Sequence, residues 1–303
     1  MELNEQLRAD QALIEDALTQ YAEQWPSYGV LKDAMSYSLL SGGKRIRPVL
    51  TLAVCRLFGG QSVDALPFAC GLEMLHTYSL IHDDLPCMDD DDVRRGKPTN
   101  HKVFGEANAV LAGDGLLTAA FATVASSSLP SERVQRAVLI LAQAAGPAGM
   151  VGGQVLDLEG EGKALGVEEI TTIELLKTGC MIEAAARLGA VAAGSSQTEE
   201  NAAASYARKL GLAFQIRDDL LDVLGTEAEF GKPIGSDLAN QKSTFVACKG
   251  LDGCQKWIEE LTTEAISSLD SYSDKEFLCG LARLLAGRNK ERFFHNPSKE
   301  ELF

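Results

Sequence analysis

With 303 residues, 46% of them apolar and 23% charged, the chain has the composition of an ordinary globular protein and no signature of disorder. Its 43 acidic residues against 28 basic ones leave a net charge of -15, which excludes a general nucleic-acid or anionic-membrane binder. A small anion remains possible, held by a local cluster of cations or bridged through metal ions to carboxylates.

The first residues, 1–18, are acidic and amphipathic, without the basic start and apolar core of a signal peptide. No apolar run approaches the roughly 18 residues of a membrane span, so a cytoplasmic protein without membrane insertion is expected. Seven cysteines without a CxxC pair exclude a disulfide framework and a zinc ribbon, and free, mostly buried thiols are expected. Gly42-Gly43-Lys44-Arg45-Ile46-Arg47-Pro48 places two glycines before three cations. The backbone can then approach an anion closely while Lys44 and Arg47 reach it, a geometry that suits a diphosphate. Taken alone, the segment also fits a helix-start turn with exposed basic residues. Gly59 follows an apolar-periodic segment, where a helix end favours glycine.

An apolar helical run from Leu66 to Ile81 leads into His82-Asp83-Asp84-Leu85-Pro86-Cys87-Met88-Asp89-Asp90-Asp91-Asp92-Val93-Arg94-Arg95-Gly96. Six aspartates within ten residues repel one another unless a cation neutralises them. Aspartate after an apolar helix also works against the helix dipole. On a continuous helix Asp83 and Asp89 would stand about 240° apart, and a break at Pro86 would bring them together. His76 shares a helical face with Asp83, and Tyr78 lies about one and a half turns from it.

Farther on, Thr171 to Glu174 and Ser196 to Glu199 fit the S/T-x-x-E capping box, and Gly194 and Gly225 close apolar segments. Lys177 beside Thr178, Lys232 and Lys242 each read singly as surface cations. Leu210, Phe214, Leu220, Leu221 and Leu224 recur at helical spacing as one buried stripe. On that helix, Phe214-Gln215-Ile216-Arg217-Asp218-Asp219-Leu220-Leu221-Asp222 projects Asp218 and Asp222 within about 40° of one another, so the pair can share a divalent cation. Two acidic clusters on helices carry more weight together than either does alone. Oxygen donors without His or Cys point to magnesium rather than zinc or copper. Residues 225–244 read as a long functional loop. No strand-like alternation bounded by Asn-Gly or Asp-Gly turns is found, so the fold class is all-α, as one large helical domain over residues 1–303.

Other motifs fail. Gly225 to Lys232 misses a phosphate-binding loop by its glycine spacing and by Pro233 after the lysine. Asp89 to Asp92 is not an EF-hand, because Val93 and Arg94 occupy ligand and glycine positions. A calcium-binding acidic module is therefore a distant alternative.

The DDxxxxD motif from Asp83 to Asp89, the DDxxD motif from Asp218 to Asp222 and Gly-Gly-Lys-Arg-x-Arg-Pro together resemble the trans-isoprenyl diphosphate synthase, or polyprenyl synthetase, family. The likeness spans roughly residues 30 to 245, and the insertion at Leu85 to Met88 is similar to the bacterial farnesyl-type members. It implies a helical domain of the isoprenoid synthase type with a central cavity, a mouth loaded with three magnesium ions, and a homodimer. The implied reaction is head-to-tail condensation of isopentenyl diphosphate with dimethylallyl and geranyl diphosphates to farnesyl diphosphate.

Residue by residue, the resemblance assigns Asp83 and Asp89 to two magnesium ions and Asp218 to a third, with Asp84 and Asp222 assisting. Arg94, Lys177, Gln215 and Lys232 fall to the allylic substrate. Lys44, Arg47, His76 and Arg95 fall to isopentenyl diphosphate. Thr178, with Lys177 and Gln215, stands beside the allylic cation. Tyr78, with Ser79, floors the pocket at fifteen carbons, and a small residue there would favour the twenty-carbon product, the runner-up. Residues 291–303 find no place in the family pattern. A class I terpene cyclase would carry an Asn/Ser/Glu-type second motif, and a non-catalytic partner subunit would lose one of the three motifs. All three are intact here, so condensation is expected.

Overall fold

The computed structural model describes residues 2–224 and 243–287. In chain order its helices are α1 (Leu3–Glu23), α2 (Leu31–Leu39), α3 (Ile46–Leu57), α4 (Ser62–Asp83), α5 (Asn100–Phe104), α6 (Glu106–Ala125), α7 (Ser131–Ala145), α8 (Met150–Gly160), α9 (Val167–Glu174), α10 (Cys180–Ala193), α11 (Gln197–Leu224), α12 (Phe245–Ser267) and α13 (Glu276–Leu285). A π-helical turn, Leu175–Gly179, joins α9 to α10. The short strands β1 (Val93–Arg94) and β2 (Lys97–Pro98) pair antiparallel between α4 and α5.

The fold is all-α, and α4 is its central helix. Ala65, Phe68, Cys70, Leu72, Met74, Leu75, Tyr78 and Ile81 are buried on all sides of it, as expected of a helix apolar around its whole circumference. On one flank α3 and α10 approach so closely that a Cβ on Gly189 would lie 2.3 Å from the Thr51 carbonyl oxygen. There the Thr51 hydroxyl donates to the Ala185 carbonyl at 3.0 Å. On the other flank α6 packs Ala109, Ala112, Leu116, Ala120 and Val124 inward. The first half of α11 joins this core through Ala203, Tyr206, Ala207 and Leu210. Its second half builds another with Ile170, Phe245, Ile258 and Leu261.

Several details differ from the sequence expectation. The β1–β2 hairpin turns on Arg95 and Gly96, both at positive φ (53° and 72°), which is the backbone a two-residue hairpin requires. Thr171 caps nothing: α9 has already begun at Val167, and the Thr171 hydroxyl donates back to Val167 at 2.7 Å. Upstream, Glu169 instead accepts from the Gly166 N–H at 2.8 Å, half of a capping box, since glycine offers no side chain for the other half. The Ser196–Glu199 box does form, with Ser196 N–H donating to Glu199 at 2.7 Å. The buried stripe of α11 runs through Leu210, Ala213, Ile216 and Leu220, whereas Leu224 is exposed at the end of the helix.

By length and mean hydropathy, α6 and the stretch Ser131–Gly160 are apolar enough to cross a membrane, contrary to expectation. That stretch is two helices, α7 and α8, and α6 buries Ala109, Ala112, Leu116, Ala120 and Val124 in the core. Among the described cysteines, all are free, with Cys55, Cys70, Cys254 and Cys279 buried and Cys87 and Cys248 exposed.

Candidate active site

The acidic cluster follows from how α4 ends. Pro86 breaks the helix and the chain turns back, so that Asp89 N–H donates to the Asp83 carbonyl at 2.8 Å. Burial pushes the Asp83 carboxyl up to about 6; Asp89 and Asp84 add to the shift, and Lys177 and Arg94 oppose it. Asp84 is almost wholly buried, and Arg94 holds its Oδ1 through Nε at 2.7 Å while reaching Asp91 at 3.4 Å. Asp84 and Arg94 therefore brace each other, and Arg94 is positioned by the cluster it was expected to work beside. Asp89 is exposed.

The unbroken α11 keeps Asp218 and Asp222 on one face, with Asp222 buried. Asp219 has a structural task, accepting the Phe245 N–H at 2.7 Å where α12 begins. Lys232 lies outside the described residues.

The glycine-rich loop sorts its three cations. Arg45 sits in the left-handed region (φ 50°), and its buried side chain pairs with Glu15 and Glu73. Partial loss of water lowers the Lys44 pKa, and the nearby Asp218 carboxylate opposes that shift. Burial likewise lowers Arg47, opposed by Glu73, Cys180 and Asp218. Arg47 Nη1 lies 3.3 Å from His76 Nε2. Guanidinium is always a donor, so His76 accepts through Nε2 and carries its proton on Nδ1. Burial, then Arg47, Arg95, Arg94 and Arg45, hold the His76 pKa well below the usual value and keep the ring neutral.

Arg95 closes this pocket. Its guanidinium donates to the Gly42 carbonyl and to Ser41 Oγ, and it covers Gly43 so closely that a Cβ there would lie 2.9 Å from Cζ. Gly43 is thus required by the approach of Arg95 as well as by its own φ of 133°. The buried Arg47 Nε has no hydrogen-bond partner among the described residues. A pocket of neutral histidine and crowded guanidiniums calls for an anion.

Lys177 and Thr178 occupy the π-helical turn, a local widening that recurs at functional sites. Gly153 of α8 lets the turn in, since a Cβ there would lie 2.3 Å from Lys177 N. Lys177 Nζ pairs with Asp157 at 2.5 Å. Burial works against its charge, but Asp157, then Asp83 and Asp89, outweigh burial and raise its pKa. Gln215 donates its amide to Glu174 at 2.7 Å, which turns its carbonyl oxygen the opposite way. Asp157 is the residue that sequence reading does not single out. Its only signal is a lone carboxylate in the apolar stretch Val151–Leu158, where an acid needs a partner.

Tyr78 is buried on α4 and packs edge-on to the His82 ring at 5.7 Å. Burial raises its pKa, with Asp83 and Cys180 adding. Cys180 also acts on Arg47, so α3, α4 and the start of α10 meet around one space.

A sequence model described as polyprenyl synthetase matches residues 29–276. The chain belongs to the polyprenyl synthetase family. It is 51% identical over 259 residues to a farnesyl diphosphate synthase of Geobacillus stearothermophilus, covering 84% of this chain and 85% of that one. It is 49% identical over 267 residues to a heterodimeric geranylgeranyl pyrophosphate synthase large subunit of Arabidopsis thaliana, covering 85% of this chain and 72% of that one. A crystal structure of a FPP/GFPP synthase from Zymomonas mobilis superposes with a TM-score of 0.83 at 35% identity, covering 93% and 99% of the two chains.

Polyprenyl synthetases use a divalent metal, and the residues here fit one. A carboxyl held near 6 by burial and like-charged neighbours is costly to ionise, and a divalent cation relieves that cost. The candidate donors Asp83, Asp89, Asp218 and Asp222 are all carboxylates, the set magnesium prefers.

Proposed function

We propose that this chain is a prenyltransferase that condenses isopentenyl diphosphate head-to-tail with dimethylallyl and geranyl diphosphates to give farnesyl diphosphate. The observation that carries this reading is the meeting of two charge sets: Lys44 and Arg47 feel Asp218 of α11, and Lys177 feels Asp83 and Asp89 at the end of α4. An anion-binding pocket thus adjoins a cation-binding one.

In this reading Lys44, Arg47 and Arg95 clamp the diphosphate of isopentenyl diphosphate, and the neutral His76 fixes the Arg47 fork. Asp83, Asp89 and Asp218, with Asp84 and Asp222 in support, would hold three magnesium ions. When bound, magnesium acts as a Lewis acid that neutralises the departing diphosphate. Lys177, fixed by Asp157, and Arg94, fixed by Asp84, add positive charge on the same side. Lys232 would contribute to that side as well. Thr178 and the carbonyl of Gln215 turn their dipoles toward the allylic cation in a dry pocket, where such dipoles count most. The apolar walls exclude water and hold the isopentenyl double bond in line for attack. The new carbon–carbon bond forms, a proton leaves to the released diphosphate, and no side-chain nucleophile takes part.

Incubation of the protein and magnesium with isopentenyl diphosphate and each allylic diphosphate, followed by chain-length analysis, tests this. A fifteen-carbon product is expected, and no condensation with any allylic partner would overturn the reading. Tyr78, with Ser79 beside it, is the proposed floor. Tyr78→Ala is expected to shift the product beyond fifteen carbons at a similar overall rate, because the carboxylates are untouched. An unchanged fifteen-carbon product would remove Tyr78 from that role.

A cytoplasmic homodimer completes the proposal. The neighbouring helices α6, α7 and α8 expose Leu111, Leu139, Val151 and Val155, apolar surface suited to a second copy. Sedimentation at twice the chain mass is expected at micromolar concentration, and a monomer there would contradict it.

A further inference from the structure

Asp90 and Asp92 belong to the first acidic run, yet the catalytic assignment uses neither. With His101 they bring ligating atoms together: a carboxylate oxygen of each and a ring nitrogen of His101 all lie within 4.8 Å of one another. The aspartates are exposed, whereas His101 is only 6% exposed, and its Nε2 is buried without a hydrogen-bond partner among the described residues.

The proton on this ring can be placed. The Thr99 hydroxyl donates its single proton to the Asp91 carbonyl at 2.7 Å. Thr99 Oγ1 also lies 3.2 Å from His101 Nδ1, so Nδ1 must be the donor in that pair. Nε2 is then left with a bare lone pair, buried without a hydrogen-bond partner among the described residues. A histidine that ligates a metal through one nitrogen is held in this way through the other.

We propose that Asp90, Asp92 and His101 form a second cation site, for a first-row transition ion of the zinc class, distinct from the carboxylates assigned to magnesium. One imidazole and two carboxylates suit zinc, whereas magnesium favours oxygen donors alone. Three protein ligands leave the fourth position to water. Lys102 Nζ holds Asp92 Oδ1 at 2.6 Å, which orients that carboxylate and makes Lys102 the resident cation with which an incoming ion shares it. An ion here ties Asp90, next to Asp89, to α5, and so restrains the segment between the acidic cluster and the Arg94–Arg95 hairpin. None of the three ligands is assigned to catalysis, so the site stands apart from the proposed reaction.

Calorimetric titration of the full chain with zinc in magnesium-free buffer tests the proposal. About one equivalent is expected to bind wild type and to persist in the Asp83→Asn/Asp218→Asn double variant. Affinity should fall at least ~10-fold in His101→Gln and Asp92→Asn, and on the order of 10-fold in Thr99→Val, which removes the acceptor for Nδ1. Unchanged affinity in His101→Gln, loss of binding in the double variant, or no binding to wild type would each overturn it. Cobalt titration excludes the exposed thiols Cys87 and Cys248, because a sulfur-to-cobalt charge-transfer band would place the ion on them and refute the site. Should His101→Gln fail to fold by circular dichroism, Asp90→Asn, at an exposed position, decides in its place.

Discussion

Asp83→Ala and Asp218→Ala should each slow magnesium-dependent condensation by at least ~10²-fold, the order of losing one preorganised electrostatic element at a transition state. The expectation rests on where the two carboxylates sit. Asp83 is pressed into partial burial at the end of α4 among Asp84 and Asp89, while Asp218 faces Lys44 and Arg47 from α11. Asp84 and Asp219, by contrast, have structural tasks, holding Arg94 and accepting the Phe245 N–H. Single-turnover assays at saturating magnesium isolate the chemical step from product release. Near-normal rates in both variants would detach the acidic motifs from the reaction.

These motifs were legible in the sequence because their chemistry is local. Six aspartates in ten residues and an i, i+4 pair announce a cation whatever the surroundings, and Pro86 announces the chain reversal that joins Asp83 to Asp89. The helices were legible for the same reason: apolar residues at helical spacing give α11 one buried stripe, and the long apolar run of α4 makes a helix buried on all sides. Illegible were features set by contact between distant segments. The π-helical turn at Lys177 exists where Gly153 of α8 and Gly211 of α11 allow close approach, and a single stretch of sequence does not carry that information. The β1–β2 hairpin escaped because its turn is Arg-Gly, and an arginine at positive φ is imposed by the Ser41–Gly42 carbonyl and hydroxyl that Arg95 reaches. The pairing of Asp157 with Lys177 depends on the same distant packing, which is why a lone aspartate in an apolar helix gave no sign of its place in the site.

Arg45→Met should cost about 3–5 kcal/mol of stability, the range for breaking a buried ion pair and stranding its partner. The Arg45 side chain is fully buried and makes three kinds of contact: Glu15 at 2.7 Å, Glu73 at 2.7 Å and the Leu39 carbonyl at 2.6 Å. Glu73 is itself 3% exposed and would lose its ion pair, with Arg47 and Arg95 acting on it from farther off, whereas Glu15 is 37% exposed and can turn to water. Urea unfolding reads the loss, and a change below ~1 kcal/mol would mean that Glu73 finds another partner or a proton. Adding Glu73→Leu should recover much of the stability, since replacing both buried ions by apolar groups is often near neutral. It should not recover the loop. Arg45 is the anchor from which the chain turns Lys44 and Arg47 toward the anion pocket, so the double variant is expected to fold and yet show a raised KM for isopentenyl diphosphate with the allylic KM less affected. Equal KM values in the double variant and wild type would show that Gly42, Gly43 and Arg95 hold the loop without help, and that Arg45 serves the core alone.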